Sequence, residues 1–121
     1  MKLNLSMVSQ IPIYEQIENQ IREMILSGEL SPGECLPSIR LMAKELRVGI
    51  VTVKRAYEDL CNEELLVSMP GKGVYVSEID SNKVKNAHME IIREQIKDIM
   101  SYAKSVDISS EEIIQMIKED N

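Results

Sequence analysis

Aromatic residues are scarce in this chain, which has four Tyr and neither Phe nor Trp among its 121 residues. A core must therefore be built from Ile, Leu, Val and Met. Cysteine occurs twice and histidine once. Cys35 and Cys61 stand far apart with no CxxC partner, the pattern of reduced thiols rather than of a disulfide framework. His88 has no second His or Cys nearby, so no metal site is expected there. There is no apolar run long enough to span a bilayer. Met1-Lys2-Leu3-Asn4-Leu5 is not followed by the apolar stretch of a signal peptide. A soluble, cytoplasmic protein without a membrane partner is expected. The chain also lacks a cluster of His, Cys, Asp and Glu, a phosphate loop, and a nucleophile paired with its single His, so neither an enzyme nor a cofactor is expected. Gly71-Lys72-Gly73 is too short for a phosphate loop. A chain of 121 residues holds one domain, or a small domain with an appendage. It leaves no room for a second full-sized core.

An excess of positive charge is missing too. Fourteen Lys and Arg face twenty Asp and Glu, a formal net charge of −6. That balance argues against nucleic acid as a partner, but the sign of the contacting face matters more than the sum. Between residues 40 and 55 the positives are Arg40, Lys44, Arg47, Lys54 and Arg55, against the single acid Glu45. The acids gather elsewhere: Glu15, Glu18 and Glu23 before this strip, Glu58, Asp59, Glu63 and Glu64 after it. A basic strip on an acidic body suits a specific binder with weak non-specific affinity.

Residues 1–11 show no clear period and read as a loose N-terminal arm. Pro12 suits the first turn of a helix, and Ile13, Ile17, Ile21, Met24 and Ile25 then form one apolar stripe. Gly28 ends that helix, and Ser31-Pro32-Gly33 is a turn. Ser38 is the expected N-cap of a second helix with Ile39, Met42, Ala43 and Leu46 on its inner face. A tight turn at Arg47-Val48-Gly49 leads to a third helix, from Ile50 or Val51 to Asn62, whose inner face is Val53, Ala56, Tyr57 and Leu60. Two β-prone runs, Leu65-Leu66-Val67-Ser68-Met69 and Val74-Tyr75-Val76, flank Pro70-Gly71-Lys72-Gly73 and read as a hairpin that must pack on the helices. Met24, Met42, Met69, Met100 and Met116 are expected as core fillers. After Ile79-Asp80-Ser81-Asn82 the period is helical again. Val84, Ala87, His88, Ile91, Ile92, Ile96, Ile99, Met100 and Ala103 make a wide apolar face. Ser109 and Glu112 have the spacing of a capping box for a last helix carrying Ile113, Ile114, Met116 and Ile117. Two such helices are too small to make a core alone, and a second copy of the same pair is the expected cover.

The fold class expected is therefore mainly α with a small β-hairpin. A winged helix-turn-helix domain over residues 12–78 precedes a two-helix dimerisation region over residues 79–121. In a helix-turn-helix, the second helix of the motif enters the major groove by its N-terminal end. That end is Gly49, Ile50, Val51, Thr52 and Lys54 here. Arg40 starts the preceding helix, and the Gly71-Lys72-Gly73 tip can approach the duplex closely. Arg40, Lys54, Lys72 and Thr52 are the favoured contacts, whereas Lys44, Arg47 and Arg55 are equally readable as solvated charges. Tyr57 lies at core spacing and reads as packing.

The motifs behind these assignments resemble the GntR family of bacterial transcription regulators. LPSIR at 36–40 resembles the family's LPS-x-R, whose arginine contacts DNA. TVKRAYEDL at 52–60 resembles T-V-R-x-A-Y-x-x-L, which carries Thr52 and Lys54 over as contacts. PGKGVYVS at 70–77 resembles the family's wing and carries over Gly71 and Lys72. Two departures stand out. Gly49-Ile50 replaces a common Ser-Arg, losing a capping hydroxyl and an arginine able to read guanine. Glu64 stands where many members have glycine. The short tail looks like the YtrA-like subfamily, whose members dimerise through it and are often encoded beside ABC-transporter genes. The resemblance implies a homodimeric DNA-binding regulator, a repressor acting at a palindromic duplex operator. No effector is specified, although a dimer of short helices leaves space for a small-molecule pocket. The competing reading is a winged helix serving as a protein-interaction adaptor.

Overall fold

The computed structural model describes residues 1–78 and 80–120. Helices α1 (Ile13–Leu26), α2 (Ile39–Leu46) and α3 (Ile50–Asn62) precede strands β1 (Leu66–Met69) and β2 (Gly73–Val76). Helices α4 (Ser81–Ser105) and α5 (Ser110–Glu119) follow. The chain is thus mainly helical with one antiparallel hairpin. It divides into two compact units, Met1–Asn82 and Lys83–Asn121. Of the segment Ile79-Asp80-Ser81-Asn82, after which the helical period resumes, Ile79 lies outside the described residues.

In the first unit, α1 buries Ile17, Ile21 and Ile25, α2 buries Met42 and Ala43, and α3 buries Val53, Ala56, Tyr57 and Leu60. These are the positions that a helical apolar period puts on one face. Pro12 sits just before α1 rather than inside its first turn. Its carbonyl accepts from the Glu15 and Gln16 amides at 3.1 Å each. Ser38 caps α2 by accepting from the Leu41 amide at 3.1 Å. The hairpin closes through a turn in which the Lys72 amide donates to the Met69 carbonyl at 2.9 Å. Gly71 there has φ +77, and Pro70 precedes it, the signature of a type II turn. Leu66 pairs with Val76 and Met69 with Gly73. A third extended segment adds to β2 on its other side. The Val76 amide donates to the Glu34 carbonyl and the Leu36 amide to the Val74 carbonyl, both at 2.8 Å. This edge pairing covers β2, which as half of an isolated hairpin would be marginal.

The arm expected to be loose is held on α1. Gln20 accepts from the Asn4 amide at 2.8 Å and donates to the Asn4 carbonyl at 2.7 Å. Gln16 accepts from the Ser6 amide and donates to the carbonyls of Ser6 and Ile11, all within 2.9 Å. Two glutamines one helical turn apart thus pair with the arm as a neighbouring strand would. The methionines also divide: Met42 is buried and Met24 and Met100 are half-buried, but Met69 and Met116 are exposed. Met69 stands at the end of β1, and Met116 lies on an exposed face of α5.

In the second unit, Ser109 accepts from the Glu112 amide, and the Glu112 side chain answers the Ser109 amide, completing the capping box. Ala103 is buried. Val84, Met100 and Ile113 are half-buried, whereas Ile91, Ile92, Ile96, Ile99, Ile114 and Ile117 remain exposed.

Helices α2, α3 and α4 end in one geometry. A non-glycine residue adopts the left-handed conformation: Arg47 (φ 58), Glu64 (φ 66) and Asp107 (φ 58). The next amide reaches back to a carbonyl of the last turn: Val48 to Ala43, Leu65 to Leu60 and Ile108 to Ala103, at 2.9–3.0 Å. Such caps usually place glycine at the left-handed position. Glu64, where a glycine is common in the resembling family, therefore keeps the glycine conformation and carries its strain.

Candidate nucleic-acid interface

Helix α3 presents its N-terminal end to solvent because the α2–α3 turn is short and its inner face is fully used. Gly49 occupies the cap position with extended backbone and no side-chain cap. Ile50 and Val51 are exposed and Thr52 is half-buried, beside the buried Val53. Arg40, Lys44, Arg47 and Lys54 are all exposed. Lys54 lies 3.8 Å from Glu58 one turn on, with both side chains largely in water. An exposed pair of this kind holds the lysine weakly, leaving it able to turn toward a phosphate. Lys72 is exposed at the tip of the hairpin between Gly71 and Gly73.

The scaffold behind this face is rigidly joined. Tyr57 is buried, and its hydroxyl donates to the Pro37 carbonyl at 2.8 Å, tying α3 to the residue before the α2 cap. Burial pushes its phenol well above the usual range. This is the packing role that its spacing implied. Between α3 and the hairpin runs an open groove of about 390 Å³, lined by Ile39, Tyr57, Cys61, Asn62, Ser68 and Val74 among others. Cys61 is half-buried there, and burial raises its thiol pKa, which opposes thiolate chemistry.

The α1–α3 seam carries several charged side chains. Arg22 makes a two-pronged contact with Glu63 at the end of α3, at 2.9 and 2.6 Å. The Arg55 guanidinium lies 3.7 Å from the centroid of the Tyr14 ring and 3.8 Å from the Asp59 carboxylate. Arg55 is therefore engaged with α1 and with its own helix, whereas Arg40, Lys54 and Lys72 point their charge outward. Glu18 is only 6% exposed, and its Oε1 has no hydrogen-bond partner in the structure. Burial, then a hydrogen bond and charge repulsion from Asp59, raise its pKa to about 8 against a partial opposing pull from Arg22. It is a neutral acid at neutral pH. No pattern signal marks Glu18, because it sits at a helical position adjoining Ile17 and resembles any surface glutamate.

Among the described residues no group of three His, Cys, Asp or Glu side chains is placed to hold a metal ion. Among the described residues no helix is long and apolar enough to cross a membrane. What the first unit does offer is an outward helix end, a cationic rim and a glycine-tipped wing.

The fold is that of a winged helix-turn-helix DNA-binding regulator. Residues 13–76 match the family described as "Bacterial regulatory proteins, gntR family", and the chain belongs to it. It is 35% identical over 111 residues to the HTH-type transcriptional repressor YtrA of Bacillus subtilis (strain 168), covering 92% of this chain and 85% of that protein. Two other curated relatives match at 43% and 41% identity, but the chain spans only 28% and 31% of their lengths. Among solved structures it resembles a transcriptional antiterminator from Listeria monocytogenes EGD-e, at 28% identity and a TM-score of 0.78, covering 98% of this chain and 89% of that one. It also resembles the DNA-binding domain of AraR in complex with operator ORE1, at 26% identity and a TM-score of 0.54, over 64% of this chain and 94% of that one. The expected family and the YtrA-like grouping are both met, and regulators of this family bind DNA and are not enzymes.

Proposed function

We propose that this chain is a transcriptional repressor that acts in the cytoplasm as a homodimer on a palindromic operator. The observation that carries the DNA contacts is the exposed N-terminal end of α3, together with exposed Arg40 and Lys44 on α2, Arg47 in the turn, Lys54 on α3 and Lys72 at the tip of the wing. The cations grip phosphates and set the register, and Gly49, Ile50, Val51 and Thr52 meet the base edges. Gly71 and Gly73 let the wing backbone approach the duplex. Arg55 contributes by fixing α3 on α1.

Dimerisation is assigned to the half-exposed apolar face of α4 and α5. Ile91, Ile92, Ile96 and Ile99 on α4, and Ile114 and Ile117 on α5, are each about half exposed. Val84, Met100 and Ile113 border that face. An apolar surface of this extent calls for a partner, and an isologous two-fold pairing supplies one from the same chain. Two copies then present two reading helices to one operator. The similarity to the YtrA repressor supports the repressing sign.

The test is selection of bound duplexes from a random library, followed by titration of the selected site at several salt concentrations. Two inverted half-sites about one helical turn apart are expected, with affinity falling steeply as salt rises. Binding that ignores salt would favour the protein-adaptor reading and remove this one. A single asymmetric site bound by one chain would remove the dimer.

A further inference from the structure

The exposed end of α3 is chemically unlike the cationic rim around it. Ile50 and Val51 hold the first two helical positions and are 47% and 79% exposed. Val51 precedes buried Val53 by two residues, which turns it nearly to the opposite side of the helix. Packing therefore gives no reason for a branched aliphatic side chain there. Gly49 has no side chain, and Thr52, the one hydroxyl in this turn, is half-buried. The four residues Gly49 to Thr52 thus offer a groove two aliphatic side chains and no guanidinium, amide or carboxylate. A purine edge set against Ile50 would give up water from its acceptors and receive no donor in return. One major-groove group matches an aliphatic side chain, the 5-methyl of thymine.

We propose that Ile50 and Val51 read thymine methyl groups, so that the operator half-site is specified beneath α3 by methyl contact rather than by hydrogen bonds to guanine. The inference rests on the DNA-binding reading above. Charge complementarity selects the occupant: Lys54 stands one helical turn beyond Ile50 and Val51, Arg47 three residues before Ile50, and Arg40 and Lys44 are exposed on α2, cations that suit two phosphate backbones flanking a groove. An apolar protein surface would leave the same cations desolvated without partners. 5-Methylcytosine carries its methyl at the equivalent place in the groove, so it substitutes for thymine at these positions where cytosine does not.

The experiment uses the full chain and the duplex selected from a random library. Each thymine is replaced singly by deoxyuridine, which removes only the methyl. At one or two positions per half-site, affinity is expected to fall about fourfold, the worth of one buried methyl group. The double variant Ile50→Ala with Val51→Ala is expected to bind the thymine and uracil duplexes alike. Lys72→Ala is expected to weaken both duplexes equally and keep their ratio. Tight, salt-sensitive binding that is indifferent to uracil at every thymine would overturn this inference alone. So would a uracil penalty that persists undiminished in the double variant. Absence of salt-sensitive duplex binding would overturn the DNA-binding reading and this inference with it.

Discussion

Glu64 gives the structure its sharpest quantitative test. Its backbone lies at φ +66, where it ends α3 and lets the Leu65 amide reach the Leu60 carbonyl at 3.0 Å. Its carbonyl also accepts from the Ser77 hydroxyl at 2.6 Å, which joins the cap to the exit of the hairpin. These backbone bonds survive in Glu64→Gly. The left-handed conformation costs an L-residue about 1–2 kcal/mol, and glycine removes that cost. Glycine also gives the unfolded chain more freedom, which takes back about 0.5–1 kcal/mol. A net gain of about 0.5–1 kcal/mol remains, or roughly 2–8 °C in Tm for a domain of this size. The control is Glu64→Ala, which removes the same exposed carboxylate but keeps the strain, and which should stay within about 0.5 kcal/mol of wild type. Thermal and urea unfolding followed by circular dichroism at one fixed protein concentration measures both, since association would otherwise shift the midpoint. If Glu64→Gly melts no higher than Glu64→Ala, the cap is not strained and the argument from φ fails.

Arg40→Ala and Lys72→Ala should each weaken operator binding across all sequences and reduce the salt slope by about one, with little change in Tm. Wild-type affinity in either variant would take that residue off the DNA face. Glu18, with a folded pKa near 8 against 4.5 for an ordinary glutamate, binds its proton more tightly in the native state. Its contribution to stability is therefore complete below about pH 4.5 and is lost as pH rises through about 8. Glu18→Gln, neutral throughout, should flatten the fall in stability across this window, and profiles of stability against pH with equal slope for both proteins would contradict the buried neutral acid. Ile96→Glu, on the exposed face of α4, should yield monomers in sedimentation and weaken operator binding without unfolding the first unit. A variant that still sediments as a dimer would place the interface elsewhere.

Much of this was legible in the residues because the physics was periodic. Ile17, Ile21 and Ile25, and then Val53, Tyr57 and Leu60, repeat at helical spacing, and a stripe of that kind has one place to go. Ser38 and Ser109 announce helix starts through their hydroxyls, and both accept the amides that their positions require. The outward position of Ile50 and Val51 followed from the same period. The three left-handed caps were not legible. Their signal is usually glycine, and here Arg47, Glu64 and Asp107 bear the strain instead. The docking of the arm was hidden for a different reason: Gln16 and Gln20 look like surface residues until their amides meet a second backbone. Arg55 shows the limit of counting charges. Its place in a basic strip suggests phosphate, yet Tyr14, more than forty residues away along the chain, supplies the ring over which it lies.

The same seam explains how an acidic chain can present a basic face. Glu63 is neutralised by Arg22, Asp59 is approached by Arg55, and Glu18 is held uncharged by burial. Three of the acids on or beside α3 are thus paired or protonated along the α1–α3 seam. Arg40, Lys44, Arg47 and Lys54 are all exposed to solvent, Lys54 beside Glu58. A net charge of −6 is then no obstacle to specific binding. It lowers the attraction to duplex at large and leaves discrimination to the few residues at the start of α3, which makes the aliphatic character of Ile50 and Val51 decisive for which site is chosen.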